Sequence, residues 1–202
     1  MPHEINKPQY WDDVYNEPEE PRWVLGKTAP PLEHWLVYAG ADRGRVAVLG
    51  CGYGHDALAF AERGFEAVGY DFAERAIERA NARVLPLHQG GRLSFVRADF
   101  FELPKSERAA FDYVYEYTSF VAIEPARREE YARMCHAILK TGGKLIGCFY
   151  NHGREGGPPF DATREDVLKV FSPLFDIRKL EISGHSIERR KGHELWAEFV
   201  KR

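Results

Sequence analysis

The stretch RVAVLGCGYGHDALAFAERGFEAVGYD, residues 45–71, leaves this chain few folds to choose from. Val46 to Leu49 is a short apolar run, read as a buried strand. It empties into Gly50-Cys51-Gly52-Tyr53-Gly54, after which Ala57, Leu58, Phe60 and Ala61 recur at helical spacing until Gly64. A second apolar run, Phe65 to Tyr70, ends on Asp71. Strand, glycine turn, helix, strand and acid make up the first half of a nucleotide-binding α/β domain. Glycines let the backbone turn sharply and approach a ligand where a Cβ would collide. A carboxylate at the tip of the next strand can accept hydrogen bonds from a ribose diol. The GxGxG spacing differs from the GxGxxG of dinucleotide binders, and no GxxxxGK[ST] phosphate loop occurs.

The rest of the chain repeats that alternation. Helical spacing covers Phe72 to Val84, residues 85–91 read as a loop, and Leu93 to Val96 as a third strand. Asp99, followed by Phe100, is a second acid just past a strand end. It suits an adenine site, with the carboxylate for the exocyclic amine and the ring against Phe100, or it is an ordinary loop or cap aspartate. Phe111 to Tyr117 reads as a fourth strand, Pro125 to about Leu139 as a helix, and Lys144 to Tyr150 as a fifth strand. Asn151 to Phe160 is a Gly/Pro-rich loop long enough to cover a site. Thr163 caps a helix running to Phe171, with Asp166 as an imperfect capping box. Phe175–Ser183 and Glu194–Val200 form a terminal hairpin around Glu188-Arg189-Arg190-Lys191-Gly192, a cluster expected to be a solvated loop.

Alternating strands and helices imply a mostly parallel sheet with helices on both faces, and ligands bind at the carboxyl ends of such strands. Gly50, Asp71, Asp99 and Tyr117 all fall at predicted strand ends, so they are expected to converge. Residues 1–44 carry Tyr10, Trp11, Tyr15, Trp23 and Trp35 in a segment broken by Pro8, Pro18, Pro21, Pro30 and Pro31, which permits only short helices and loops. Those rings either form a lid over a ligand or cover one end of the sheet.

Composition narrows the function classes. With 202 residues the chain suits one domain, a 1–44 aromatic lid segment ahead of a 45–202 core. A net charge of −3 argues against a broad nucleic-acid-binding face. No apolar run approaches the roughly 20 residues that span a bilayer, and the N-terminus does not read as a signal peptide. Cys51, Cys135 and Cys148 fit neither a disulfide framework nor a zinc site, and no histidine pair has metal-ligand spacing. The expectation is a cytoplasmic protein with reduced thiols, no resident metal, and a monomer as default.

With these residues in hand, the chain resembles the class I S-adenosylmethionine-dependent methyltransferases, and within them the thiopurine methyltransferase superfamily, on the side of the halide/thiol methyltransferases. The likeness rests on Trp23-Val24-Leu25-Gly26-Lys27-Thr28-Ala29-Pro30, the glycine turn with His55-Asp56, Phe111-Asp112 with Val121-Ala122-Ile123-Glu124-Pro125, and Gly156-Gly157-Pro158-Pro159-Phe160. It implies a three-layer Rossmann-like fold, a seven-stranded mostly parallel sheet with a C-terminal antiparallel hairpin. It further implies S-adenosylmethionine as cofactor, S-adenosylhomocysteine as product, and a small-molecule or anionic methyl acceptor. Trp11, Tyr15 and Trp23 would close over the methionine end, Gly50 and Gly52 would meet the cofactor through backbone, Asp71 would hold the ribose, and Asp99 with Phe100 the adenine. At Tyr117 the thiopurine enzymes carry Arg and the halide/thiol branch Tyr, which favours a small soft nucleophile: thiol, hydrosulfide, thiocyanate or halide. Tyr117 would contact the cofactor end and orient the reaction by its hydroxyl. Thiopurine-type and metalloid acceptors, a non-catalytic S-adenosylmethionine-binding module and an NAD-dependent oxidoreductase are the alternatives.

Overall fold

A computed structural model describes residues 4–84 and 92–202, so the loop expected at 85–91 lies outside the described residues. Seven strands form one sheet: β1 Arg45–Leu49, β2 Glu66–Asp71, β3 Leu93–Arg97, β4 Phe111–Tyr117, β5 Leu139–Tyr150, β6 Phe175–Ile182 and β7 Glu194–Lys201. Their order is β3-β2-β1-β4-β5-β7-β6. The first five are parallel, and β7 runs antiparallel to both β5 and β6. The terminal hairpin therefore docks through its second strand, leaving β6 on the edge.

Helices α1 Pro8–Asn16, α2 Pro30–Tyr38, α3 His55–Glu62, α4 Glu74–Arg83, α5 Arg128–Ile138 and α6 Arg164–Phe171 complete the described elements, with short 3-10 turns between. Proline opens both N-terminal helices, where its missing N–H is no loss. Residues 125–127 form a 3-10 turn, so the helix expected from Pro125 begins only at Arg128. Thr163 and Asp166 complete their capping box, each side chain accepting from the other residue's backbone. Strand β5 starts at Leu139, five residues before the expected Lys144. The stretch Lys140–Gly143 is absorbed by a bulge opposite Phe111 and Tyr113, a distortion that Gly142 accommodates at φ +74°.

Strand β1 is buried on both faces, and that doubles the core. Val46 and Val48 pack with Trp35, Phe60, Phe65 and Tyr115 on one side. Ala47 and Leu49 pack with Phe111, Tyr131, Phe149 and Phe199 on the other. Central burial of this kind explains the continuous apolar run in place of an alternating one. All three cysteines are unpaired. Among the described residues no helix is long and apolar enough to cross a membrane.

Candidate functional site

The sharp turn out of β1 is held open by its glycines. Gly50 sits at φ +57°, and a Cβ there would lie 2.9 Å from the Ser119 Cβ, in the turn that leaves β4. Glycine is thus required by its neighbour as well as by its backbone angle. Gly54, at φ +82°, starts α3 with the Phe95 ring against its missing side chain.

Strand β2 delivers Asp71 beside this turn, only 6% exposed. Its Oδ2 accepts the Gly52 N–H at 2.8 Å and its Oδ1 the Ala73 N–H at 2.9 Å. Burial raises the Asp71 pKa from 3.8 to about 6, against the pull of those N–H groups. Strand β3 is followed by Asp99, whose Oδ1 accepts the Phe101 N–H at 2.9 Å and caps the 3-10 turn Phe100–Lys105. Asp99 nevertheless lines the cavity, so its capping and cavity-facing roles coexist.

A cavity of about 560 Å³ opens at these strand ends, inside the range of roughly 300–1,000 Å³ usual for small-molecule and cofactor sites. Trp11, Tyr15, Trp23, Gly50, Asp71, Asp99 and Phe100 all line it. Gly52 and Tyr117 lie instead on a small adjoining cavity of about 60 Å³, shared with Trp23 and Gly50. The glycine turn divides the two spaces. The aromatic wall is self-supporting: Trp23 Nε1–H donates to the Tyr15 hydroxyl at 3.1 Å, and Trp11 Nε1–H to the Ile5 carbonyl at 2.8 Å. Trp23 meets Trp11 and Tyr15 edge-on, with centroids 5.9 and 6.1 Å apart. The rings cover the sheet end and line the cavity at once.

Tyr117 projects from β4 toward the α2/α3 side, where its buried hydroxyl lies beside the Glu194 carboxylate without completing a well-aligned hydrogen bond. Burial first, then the nearby Glu194 carboxylate, raises its pKa, and Arg190 opposes them. On the other face of β4, the fully buried Glu116 accepts hydrogen bonds from Ser119, Tyr131 and the Phe120 N–H. That cluster anchors the turn carrying Ser119 against Gly50.

The basic turn departs from expectation. Glu188, Arg189 and Lys191 are exposed, but Arg190 is 7% exposed and reaches the cavity wall. Its guanidinium lies 3.2 Å from the buried Glu194 carboxylate and 5.3 and 5.0 Å from the ring centroids of Tyr117 and Tyr150. It is no solvated loop residue; tertiary contacts bury it. Sequence reasoning also missed Ser119, Arg22 and Arg154, which line the same cavity without any local motif. No cluster of three or more metal-ligating side chains occurs among the described residues.

Residues 6–199 match the family model described as thiopurine S-methyltransferase. The chain is 33% identical over 193 residues to a probable thiol methyltransferase 2 of Arabidopsis thaliana, covering 95% of this chain and 84% of that protein. It is 34% identical over 195 residues to thiocyanate methyltransferase 1 of Brassica oleracea, again covering 95% and 84%. A solved structure concerned with conversion of a disulfide bond into a thioacetal group during echinomycin biosynthesis superposes with a TM-score of 0.81 at 20% identity, covering 96% of this chain and 92% of that one. The glycine turn, the acids that follow β2 and β3, and the antiparallel end of the sheet thus have a common explanation: the chain belongs to the thiopurine S-methyltransferase family and is an S-adenosylmethionine-dependent methyltransferase.

Proposed function

We propose that this enzyme transfers the methyl group to a small soft nucleophile, namely a thiol, hydrosulfide, thiocyanate or halide. The observation that carries this reading is the Arg190 guanidinium, buried at the cavity wall between Tyr117 and Tyr150 with its charge shared with the buried Glu194 carboxylate. An acceptor that reacts as an anion gains most from such a group, and a neutral oxygen or nitrogen acceptor gains less. The names of the Arabidopsis and Brassica relatives support the same class.

The residues present fit the cofactor. Asp71, at the inner end of the cavity beside Gly50 and Gly52, takes the ribose hydroxyls, and the turn's backbone lies against the same end. Asp99 accepts from the adenine amine with Phe100 against the ring. Trp11, Tyr15 and Trp23 close over the methionine end as the lid formed by residues 1–44, and 45–202 is the core of one domain. When bound, S-adenosylmethionine supplies a sulfonium-activated methyl group. The chain's own task is therefore alignment, for which large effective molarities are attainable. The aromatic faces exclude water and favour a cationic sulfur over a neutral one. Tyr117, whose buried hydroxyl lies beside the Glu194 carboxylate, orients the nucleophile or methyl. A halide or hydrosulfide needs no base, whereas a thiol of pKa about 8.5 must lose its proton before it reacts. Exposed large apolar side chains are confined to Val37, Tyr38, Val96 and Ile182 among the described residues, which supports action as a monomer.

An acceptor panel with methyl-labelled cofactor tests the reading: iodide, bromide, chloride, hydrosulfide, thiocyanate, an alkyl thiol, thiophenol and a thiopurine. Labelled methyl halide, methanethiol, methyl thiocyanate or alkyl methyl sulfide is the expected product. Methylation of the thiopurine alone would move the acceptor to the heteroaromatic thiols. Silence from all of them, with S-adenosylhomocysteine still bound, would overturn the proposal.

A further inference from the structure

Charge on the cavity is lopsided in a way the proposed chemistry does not use up. Besides Arg127 and Arg190, which pair with Glu130 and Glu194, three guanidiniums line it: Arg22, Arg154 and Arg189. None of the three has a carboxylate within ion-pair distance among the described residues. They come from three separate segments, and the side chains of Arg189 and Arg154 are tied in place. Arg189 donates to the Arg22 carbonyl, which joins the β6–β7 connection to the segment that carries Trp23. Arg154 is set by His152, whose Nδ1 faces both the Arg154 Nε and its backbone N–H at 3.2 Å. His152 in turn lies 3.1 Å through Nε2 from the Pro159 carbonyl. All three arginines are exposed residues of the lining, with the Arg189 Nη2 engaged by the Arg22 carbonyl and the Arg154 Nε by His152.

The cavity's own carboxylates do not answer that charge. Asp71 and Asp99 also line the cavity, but each accepts from backbone N–H groups at its strand end and neither forms an ion pair with the three guanidiniums among the described residues. The cofactor's amino-acid end carries one carboxylate with one ammonium, and its sulfonium adds a further positive charge. A bare halide would leave most of the rim uncompensated. An acceptor bearing a second anionic group would not, because the planar guanidinium fork matches a carboxylate through two parallel hydrogen bonds.

Resting on the sulfur-methylating reading above, we propose that Arg154 and Arg189, with Arg22 beside them, form a carboxylate-docking rim, and that the enzyme's preferred acceptor is a small thiol bearing its own carboxylate. The carboxylate anchors at the mouth while the sulfur points inward toward Arg190. The thiol proton leaves to solvent, the acceptor sulfur forms the new S–C bond, and the sulfonium–methyl bond breaks with its electron pair passing to the cofactor sulfur. The product is a thioether that keeps its carboxylate.

The test compares 3-mercaptopropionate with its uncharged amide at saturating cofactor, in the wild type and in the Arg154→Ala, Arg189→Ala double variant. The wild type is expected to favour the acid by about tenfold or more in kcat/KM, the scale of a charge-assisted fork, and that ratio should fall at about 0.5 M salt. In the double variant the ratio should collapse toward one, with calorimetric affinity for S-adenosylhomocysteine kept within about twofold, as expected where no direct contact with the product is lost. A wild-type ratio near one, or a ratio that survives both substitutions, overturns the rim. A loss of S-adenosylhomocysteine affinity with the ratio retained also overturns it, because the arginines then hold the methionine carboxylate. Turnover of the amide or of small anions without preference for the acid sinks the rim alone. Silence from every acceptor with product still bound sinks the underlying reading as well.

Discussion

The Asp71 carboxylate and the Gly52 backbone N–H, nineteen residues apart in the chain, meet at 2.8 Å. One side chain thus ties the tip of β2 to the glycine turn after β1 and faces the cavity beside both. On the proposed assignment Asp71→Ala removes a ribose acceptor, and it leaves the Gly52 and Ala73 N–H groups without their partner. Affinity for S-adenosylhomocysteine should fall by about tenfold or more, equivalent to one lost charge-assisted bond. Isothermal calorimetry checks this, and unchanged affinity would remove Asp71 from the cofactor site.

The same carboxyl sets a pH dependence. Its pKa lies at about 6 in the folded protein against 3.8 for an ordinary aspartate, because burial disfavours the charged form. The folded state therefore holds more protons than the unfolded state between those values. Asp71 subtracts stability from the ligand-free protein as pH rises through that window. Cofactor binding needs the ionised acceptor and has the opposite sign: affinity should weaken by about tenfold from pH 7 to pH 5, with proton release on binding at the lower end. Calorimetry across that range checks it, and Asp71→Asn should flatten the profile.

Gly50 and Gly142 separate backbone strain from steric contact. Both have positive φ, but a Cβ on Gly142 meets nothing within 4 Å, while one on Gly50 strikes the Ser119 Cβ. Gly142→Ala should cost about 1–2 kcal/mol for the left-handed backbone alone. Gly50→Ala adds overpacking against a turn anchored by Glu116, for roughly 2–4 kcal/mol in all. Thermal melts should show the second variant losing clearly more, at about 2–4 °C per kcal/mol for a chain of this size.

Tyr117→Phe distinguishes an orienting hydroxyl from a packed ring. Because the hydroxyl lies beside Glu194 without a well-aligned hydrogen bond, removing it should change stability by no more than about 1 kcal/mol, which thermal melts check. If that hydroxyl orients the reaction, kcat should drop by about tenfold while S-adenosylhomocysteine affinity holds, the signature of an interaction made in the transition state. Full turnover would assign Tyr117 to packing around Arg190.

Much of this architecture is legible in one dimension because its signals are local. The apolar run of β1, the glycine turn, the 3.6-residue spacing of α3 and the acid that ends β2 each follow from turn chemistry and periodicity within a few residues. The parallel order then places Trp11, Tyr15, Trp23, Gly50, Asp71, Asp99 and Phe100 around one cavity. Tyr117 sits at a strand end as well, but the alternation of side chains along β4 turns it to the smaller space behind the glycine turn.

What only the tertiary structure decided concerns charge and close contact. Arg189 and Arg190 are neighbours in a basic run, yet one is exposed and the other is buried between Tyr117, Tyr150 and Glu194. Local composition cannot make that distinction, because the burial of a guanidinium is stabilised by partners from β4, β5 and β7 that meet it only after the sheet has formed. The same holds for Ser119 against Gly50 and for the rim arginines, which three distant segments bring to one cavity. Sequence by itself determined the scaffold and the strand-end residues that line the cavity, since both are written in local pattern. The folded chain decided the acceptor end, since a pocket's charge is the sum of side chains that share no neighbourhood until they pack.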